Sequence, residues 1–377
     1  MQLSETIKLY PTKKQKILIL TMMVEYIATV NRLVSDAVSG ISIARYTSKD
    51  VKALLPAALK NQCVRDANSV LKRYNRNRRQ AERKNAELIK QGKEIEFIAK
   101  RPVLKKLCCF INNQNYKVKD SSIEFPILVN GKTKRISVKT KMTEQQKDIL
   151  ANSKLGTMRI VMKNNKLIAQ IVYERAENPV KTEGNIMGVD LGIKCPAVSY
   201  ISDGSVKFYG NGRQNKYIRR HYDFLRRTLQ KNKHFDAVQR INNKEQRIMR
   251  DIDHKISHDI IKTAVAHNVS VIKLERLDNI RSTTRKSRKN NHSLHNWSFY
   301  RLAQFIEYKA KLAGIQVEYV NPAYTSQTCP VCGRIHHAND RNYICKCGFH
   351  THRDLLGAIN ICNSTKYVGG RNVRHTA

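Results

Sequence analysis

Residues 186–210 read IMGVDLGIKCPAVSYISDGSVKFYG. The first seven, 186–192, are apolar apart from one carboxylate, Asp190. A second apolar run, 197–201, is separated from a third, 206–209, by Asp203-Gly204, a pair favoured in tight hairpin turns. Three short strands joined in this way make a meander. A carboxylate inside an apolar strand is expensive unless it meets a cation. Gly188 and Gly192, on either side of Asp190, leave room for a backbone or a substrate to come close.

Downstream, polar helical segments at about 214–232 and 236–267 precede a strand at 269–275, a helix from about 297 to 313 and a strand at 315–320. Three strands, helix, strand, helix, strand is the element order of an RNase H-like domain. Phosphodiester hydrolysis by two divalent ions needs carboxylates converging from different elements, because the ions sit about 3.5–4 Å apart and bracket the attacking and leaving oxygens. Asp190 in the first strand, Glu275 closing the fourth and Asp354 at the start of a final helical run, 353–361, stand where such a domain would place them. Singly, each has a plainer reading: a turn former, a strand-end charge, a helix N-terminal acid favoured by the dipole. Together, in that order, they read as a catalytic triad taking Mg²⁺, as a pair of ions, with Mn²⁺ as a substitute.

Between Glu275 and Asp354 lie Cys329-Pro330-Val331-Cys332-Gly333 and Cys345-Lys346-Cys347-Gly348. Four thiolates, with a glycine after each pair for a tight turn, close a tetrahedral Zn²⁺ shell, which is structural because no position stays open for catalysis. His336, His337, His350 and His352 are nearby but read as solvent- or phosphate-facing. Loss of this metal should also disturb Asp354, because the knuckles precede its helix directly. Cys63, Cys108, Cys109, Cys195 and Cys362 are scattered and read as reduced thiols.

The rest of the chain points to a polyanionic partner. Its 377 residues carry 70 Lys+Arg against 30 Asp+Glu, a formal net charge of +40, which would self-repel unless nucleic acid neutralised it. An amphipathic helix is expected from Ile17, Leu20, Val24, Ile27, Val34, Val38 and Ile41, and a second over about 59–90. Within the second, Arg73, Arg76, Arg78 and Arg79 belong to a cationic face, read either as solvated or as contacting phosphates. Residues 101–180 change to strand patterns, with a hairpin over 158–173, and 177–185 looks like a linker. Arg281, Arg285, Lys286, Arg288 and Lys289 fill an acid-free stretch after Glu275, either a surface loop or a lid that guides a nucleic-acid strand. No uncharged apolar run approaches a membrane span and no leader pattern opens the chain, so a cytoplasmic protein is expected.

The motifs GVDLGI (188–193), Leu274-Glu275, YTSQTCPVCG (324–333) and His352-Arg353-Asp354 with Ala358 and Asn360 resemble the TnpB family. These are proteins of insertion sequences, often labelled transposases and similar to type V CRISPR effector nucleases. The similarity reaches back to IKLYPT (7–12) and includes Trp297-Ser298-Phe299 with Tyr308-Lys309. It implies an α/β plus β-barrel protein: a RuvC nuclease domain at 184–324 and 351–364 with a zinc ribbon at 325–350 inserted. A wedge-like β-barrel at 1–12 and 101–180 would precede it, interrupted by a helical recognition lobe at 13–100, with a disordered tail at 365–377. It further implies a non-coding guide RNA from the transposon end that pairs with target double-stranded DNA beside a short flanking motif. The place of action is expected to be the bacterial or archaeal cytoplasm, at the nucleoid; of monomer and dimer, which the sequence leaves open, the monomer is favoured. Composition and spacing say nothing of the guide. A catalytically silent DNA-binding repressor and an unguided transposase or resolvase are the competing readings.

Overall fold

The computed structural model describes residues 1–277, 298–338 and 340–365, and forms two compact units, Met1–Arg175 and Ala176–Ala377. The cationic stretch with Arg281, Arg285, Lys286, Arg288 and Lys289, together with Trp297 and the tail from 366, lies outside the described residues.

Unit one opens with β1 (Gln2–Tyr10), whose alternation sends Ile7 and Leu9 inward. Then come α1 (Lys13–Val38), α2 (Ala57–Lys90), β2 (Cys108–Ile111), β3 (Lys117–Lys119), β4 (Ser122–Val129), β5 (Lys132–Thr140), α3 (Glu144–Asn152), β6 (Lys154–Lys163) and β7 (Lys166–Glu174). The β6–β7 hairpin turns through Asn164 and Asn165, both at positive φ, a conformation asparagine tolerates well. All seven strands form one sheet in the order β2-β6-β7-β1-β5-β4-β3. Among the described residues no pairing joins the end strands β2 and β3, so the hydrogen-bonded order is open.

A Thr12–Gln15 capping box starts α1, which is held against α2, β2 and β4. Its buried face is Ile19, Met22, Met23, Tyr26, Ile27, Thr29, Val30, Leu33 and Val34. This corrects the expected stripe. Only Ile27 and Val34 of that stripe are fully buried, Ile17 and Val24 are exposed, and Ile41 follows the helix end. Apolar residues occupy so much of the circumference that spacing alone selects no single face. For the same reason α1 has the length and apolarity of a membrane-crossing helix, with mean hydropathy 1.6 over an 18-residue window, although Glu25 and Arg32 keep it from being an uncharged run; half of that window is buried inside unit one. In α2 only Leu59, Cys63, Val64 and Ala67 are buried, all near its start. Arg73, Arg76, Arg78 and Arg79 are exposed, and Arg78 pairs with Glu82 at 3.3 Å.

Unit two is built on β8 (Asn185–Asp190), β9 (Ala197–Ile201), β10 (Val206–Tyr209), β11 (Val269–Glu275) and β12 (Gln316–Val320). The first three form the antiparallel meander, and β11 runs parallel to both β8 and β12, giving the order β10-β9-β8-β11-β12. Between β10 and β11 lie α4 (Gly212–Lys231), α5 (Phe235–Ile241) and α6 (Lys244–Ala266). The single segment expected at 236–267 is thus two helices, broken where Asn242 takes a φ of 43° at the end of α5. After β12 and α7 (Phe299–Leu312), which precedes it, come the hairpin β13 (Asn342–Ile344) and β14 (His350–His352), then α8 (Arg353–Asn363). Met187, Val189, Ile260, Ile272, Leu274 and Ile306 pack in the core of this sheet and its helices.

Candidate active site and metal centre

Burial and register place the first two acids. In the parallel pair β8–β11, Val189 stands opposite Leu274, so Asp190 and Glu275 follow side by side at the carboxyl ends of adjacent strands. Parallel sheets leave a crevice there that commonly receives ligands. The third acid arrives on α8, which lies on β8 because two glycines permit it. A Cβ on Gly188 would stand 2.3 Å from the Ala358 carbonyl oxygen and 2.4 Å from the Cys362 nitrogen, and one on Gly357 would stand 3.2 Å from the Asp190 carboxyl. The room that the sequence placed beside Asp190 is therefore filled, at Gly188, by the backbone of the helix that carries Asp354.

Glu275 and Asp354 each have a side-chain partner. Thr325 donates its hydroxyl to Glu275 Oε1, and the loop bearing Thr325 is held by Asn360 of α8, whose Nδ2 donates to the carbonyls of Thr325 and Thr328 at 2.7 Å each. Arg341 donates to Asp354 Oδ1 and forms an ion pair with it. The Asp354 amide donates to His352 Nδ1 at 3.2 Å, so this nitrogen of the half-buried His352 caps α8. At the far end of α8, buried Lys273 donates to the carbonyls of Cys362 (3.0 Å) and Ser364 (2.8 Å), satisfying orphan acceptors of the last turn. Thr325, Arg341, Lys273 and Gly357 were not singled out in sequence; a lone arginine 13 residues before Asp354 carries no recognisable spacing.

The electrostatics are those of crowded carboxylates. Asp190 is pushed well above the ordinary range, by burial first and then by the charges of Glu275 and Asp354, while Arg341 and Arg353 pull it back. Burial pushes Glu275 up to about 7 against the lowering hydrogen bond from Thr325. Hard oxygen donors converging at such cost suit a hard divalent cation such as Mg²⁺ or Mn²⁺. Their oxygens are less tightly gathered than the thiols below; among the described residues the four cysteines form the one set of ligand atoms all within 4.8 Å of one another.

Cys329, Cys332, Cys345 and Cys347 make that set, with sulfurs 3.6 Å apart for Cys329–Cys347 and 3.5 Å for Cys332–Cys345. A tetrahedron with Zn–S bonds of about 2.3 Å has edges of about 3.8 Å. The Cys345 thiol is held down to about 6, first by the Cys347 amide and then by neighbouring thiols. The site thus suits one Zn²⁺, and none of the four nearby histidines belongs to it. Cys329, Cys345, Ala338 and Tyr343 share a small core with Leu356 of α8, and the Arg353 amide donates to the Arg341 carbonyl at 2.7 Å. The metal knuckles are therefore packed onto the first turn of α8, where Asp354 sits. Cys63, Cys108, Cys109 and Cys362 are buried and Cys195 half-buried, all as free thiols.

Known proteins share this architecture. Superposed on the cryo-EM structure of a Cas12f1–sgRNA–target DNA complex, the chain gives a TM-score of 0.64 at 16% identity, covering 93% of this chain and 83% of that one. The chain therefore shares the fold of the Cas12f1 protein in that complex. Residues 299–361 match the model of the Cas12f1-like TNB domain, and 170–281 match that of a probable transposase, OrfB of IS605. The TnpB-like protein MJ0751 of Methanocaldococcus jannaschii is 31% identical over 257 residues, which are 64% of this chain and 91% of that protein. The chain belongs to the TnpB family. The CRISPR-associated endodeoxyribonuclease Cas12f1 of Sulfoacidibacillus thermotolerans is 27% identical over 218 residues, 53% of this chain and half the length of that relative.

Proposed function

We propose that the chain is an RNA-guided DNA endonuclease of an insertion sequence, cutting target double-stranded DNA beside a short flanking motif. The observation that carries this is the convergence of Asp190, Glu275 and Asp354 at the carboxyl ends of β8 and β11 in a chain of the TnpB family. Unit two is read as the RuvC-like, RNase H-like nuclease. Its three carboxylates would hold a pair of Mg²⁺ ions, with Mn²⁺ able to replace them. When bound, such ions polarise the phosphoryl oxygens and lower the pKa of the attacking water. The chain's own work is positional: Thr325 fixes Glu275, Arg341 orients Asp354, and α8 seated on Gly188 sets Asp354 against Asp190. The four cysteines would hold a structural Zn²⁺ that folds the ribbon onto α8.

Unit one, read as a wedge-like β-barrel carrying a helical recognition lobe, would bind the nucleic acids through Arg73, Arg76, Arg78 and Arg79, and Arg281, Arg285, Lys286, Arg288 and Lys289 would add further phosphate contacts. The partners would be a non-coding guide RNA and target DNA, a reading supported by the likeness to a Cas12f1 structure solved with an sgRNA and target DNA, and the protein would act on the nucleoid in the cytoplasm, as a monomer in preference to a dimer. The complete acid set speaks against a silent repressor, and an unguided transposase or resolvase would need no RNA. Sequencing the RNA that co-purifies with the protein separates these: an enriched non-coding transcript required for cutting is expected, and undiminished cutting without RNA would refute the guided reading.

A further inference from the structure

Helix α4 has two unlike faces. On the inner one Tyr222 is buried, Arg226 binds Glu245 of α6 at 2.6 Å, and Arg219, desolvated there, has its guanidinium pushed below the usual range by burial while Glu245 and Asp253 support it. Among the described residues the outer face carries one ion pair, within the helix itself. Tyr217 is 69% and Phe224 71% exposed, His221 is exposed between them, and the Tyr217 and His221 rings lie stacked with centroids 6.1 Å apart. Interleaved with these rings are exposed Arg213, Lys216, Arg220, Arg227 and Lys231. The one acid of the helix, Asp223, is bound by Arg227 at 2.7 Å.

At 3.6 residues per turn, Tyr217 and Phe224 project within about 20° of each other and about 10 Å apart along the axis, with His221 between them. Large rings gathered on one exposed helix face and rimmed by polar residues mark an interaction surface. Rings alternating with cations are the composition of a stacking platform, where the π-faces take bases and the cations take phosphates. A duplex hides its base faces, so the rings suit an unpaired strand. A second copy of this chain is disfavoured, because the face would meet its own cations on a protein of net charge +40.

The geometry points to the outer face of α4 as a binding track for single-stranded nucleic acid, with Tyr217, His221 and Phe224 stacking on bases and Arg213 and Arg220 on the backbone. The inference rests on the nucleic-acid function proposed above and adds where an unpaired strand runs. Both unpaired DNA and unpaired RNA offer this chemistry.

The test uses the full-length protein and two variants, Tyr217→Leu/Phe224→Leu, which keeps apolar bulk but removes the rings, and Arg213→Gln/Arg220→Gln. Binding is measured on 20-mers of dT, of U, of abasic deoxyribose phosphate and of duplex DNA, and the dT and U strands are repeated with 5-iodouracil for photo-crosslinking. Loss of the two rings should weaken dT or U binding by about tenfold or more, leave abasic and duplex strands within about twofold, and abolish crosslinks in the 212–231 peptide. The arginine variant should lower the slope of log affinity against log salt by about 1.4 on the single strands. Whichever of dT and U responds more identifies the strand. Crosslinks only elsewhere, equal losses on abasic and base-bearing strands, or a dimer that Tyr217→Leu/Phe224→Leu dissociates would overturn the assignment. Absence of any nucleic-acid binding by the unaltered protein would instead overturn the function on which it rests.

Discussion

Replacing Gly188 with alanine probes the contact on which the site's geometry depends. The added carbon would lie 2.3 Å from the Ala358 oxygen and 2.4 Å from the Cys362 nitrogen, both backbone atoms of α8 that cannot rotate aside. Relief to ordinary contact requires the helix to withdraw by about 1 Å, carrying Asp354 away from Asp190. Overpacking of this kind costs about 1–3 kcal/mol. For a unit of this size that lowers the melting temperature by about 3–10 °C. A displacement of about 1 Å at reacting groups costs on the order of 10²-fold in rate. Melting curves and cleavage of a matched target by the guide-loaded protein measure the two effects. Ile260→Val, in the same core, serves as the control of comparable stability loss that leaves α8 in place. Gly188→Ala should lose far more rate than Ile260→Val at a similar melting temperature. Equal rates in the two variants would refute the claim that this contact positions the third acid.

Other outcomes follow from the same geometry. Because Glu275 is raised to about 7, the metal-free folded chain holds its proton more tightly than the unfolded chain does, so this contribution to stability is full below about pH 4.5 and is lost as pH rises through 7. Glu275→Gln should flatten the melting temperature between pH 5 and 8, by the equivalent of roughly 2 kcal/mol, and Mg²⁺ should stabilise the unaltered protein most at the upper end; an unchanged profile would count against a Glu275 carboxyl held up by burial. Cys329→Ser, or a chelator, should remove one bound zinc by elemental analysis and depress cleavage at an unaltered far-UV spectrum, since the ribbon packs on α8 through Leu356 and Arg341; full activity without zinc would disprove that coupling. Lys273→Met should destabilise unit two by about 2–3 kcal/mol in denaturant melts by stripping the donors from the α8 carbonyls, and an unshifted midpoint would contradict that role.

What was legible in the sequence were features carried by local pattern. The alternations of β8 to β10, the apolar strand β11 and the paired cysteines each encode their structure within a few residues. Long-range geometry was less visible. The periodicity of α1 pointed to Ile17 and Val24, because a helix apolar on most sides shows several stripes and only packing against α2, β2 and β4 selects one. The break at Asn242 depends on one residue adopting positive φ in a segment otherwise suited to continuous helix. The carboxylates stood out as acids in a basic chain, but their supports did not. Arg341 is one of 70 basic residues, and Thr325 and Gly357 gain meaning only once α8 lies across β8.

The most direct test of the central claim is cleavage of a plasmid bearing a guide-matched site by the RNA-loaded protein in Mg²⁺, comparing the unaltered chain with Asp190→Ala. The unaltered chain should cut the matched plasmid alone and only with RNA bound, while Asp190→Ala should bind the same site without cutting. Cleavage retained by Asp190→Ala would contradict the proposed centre.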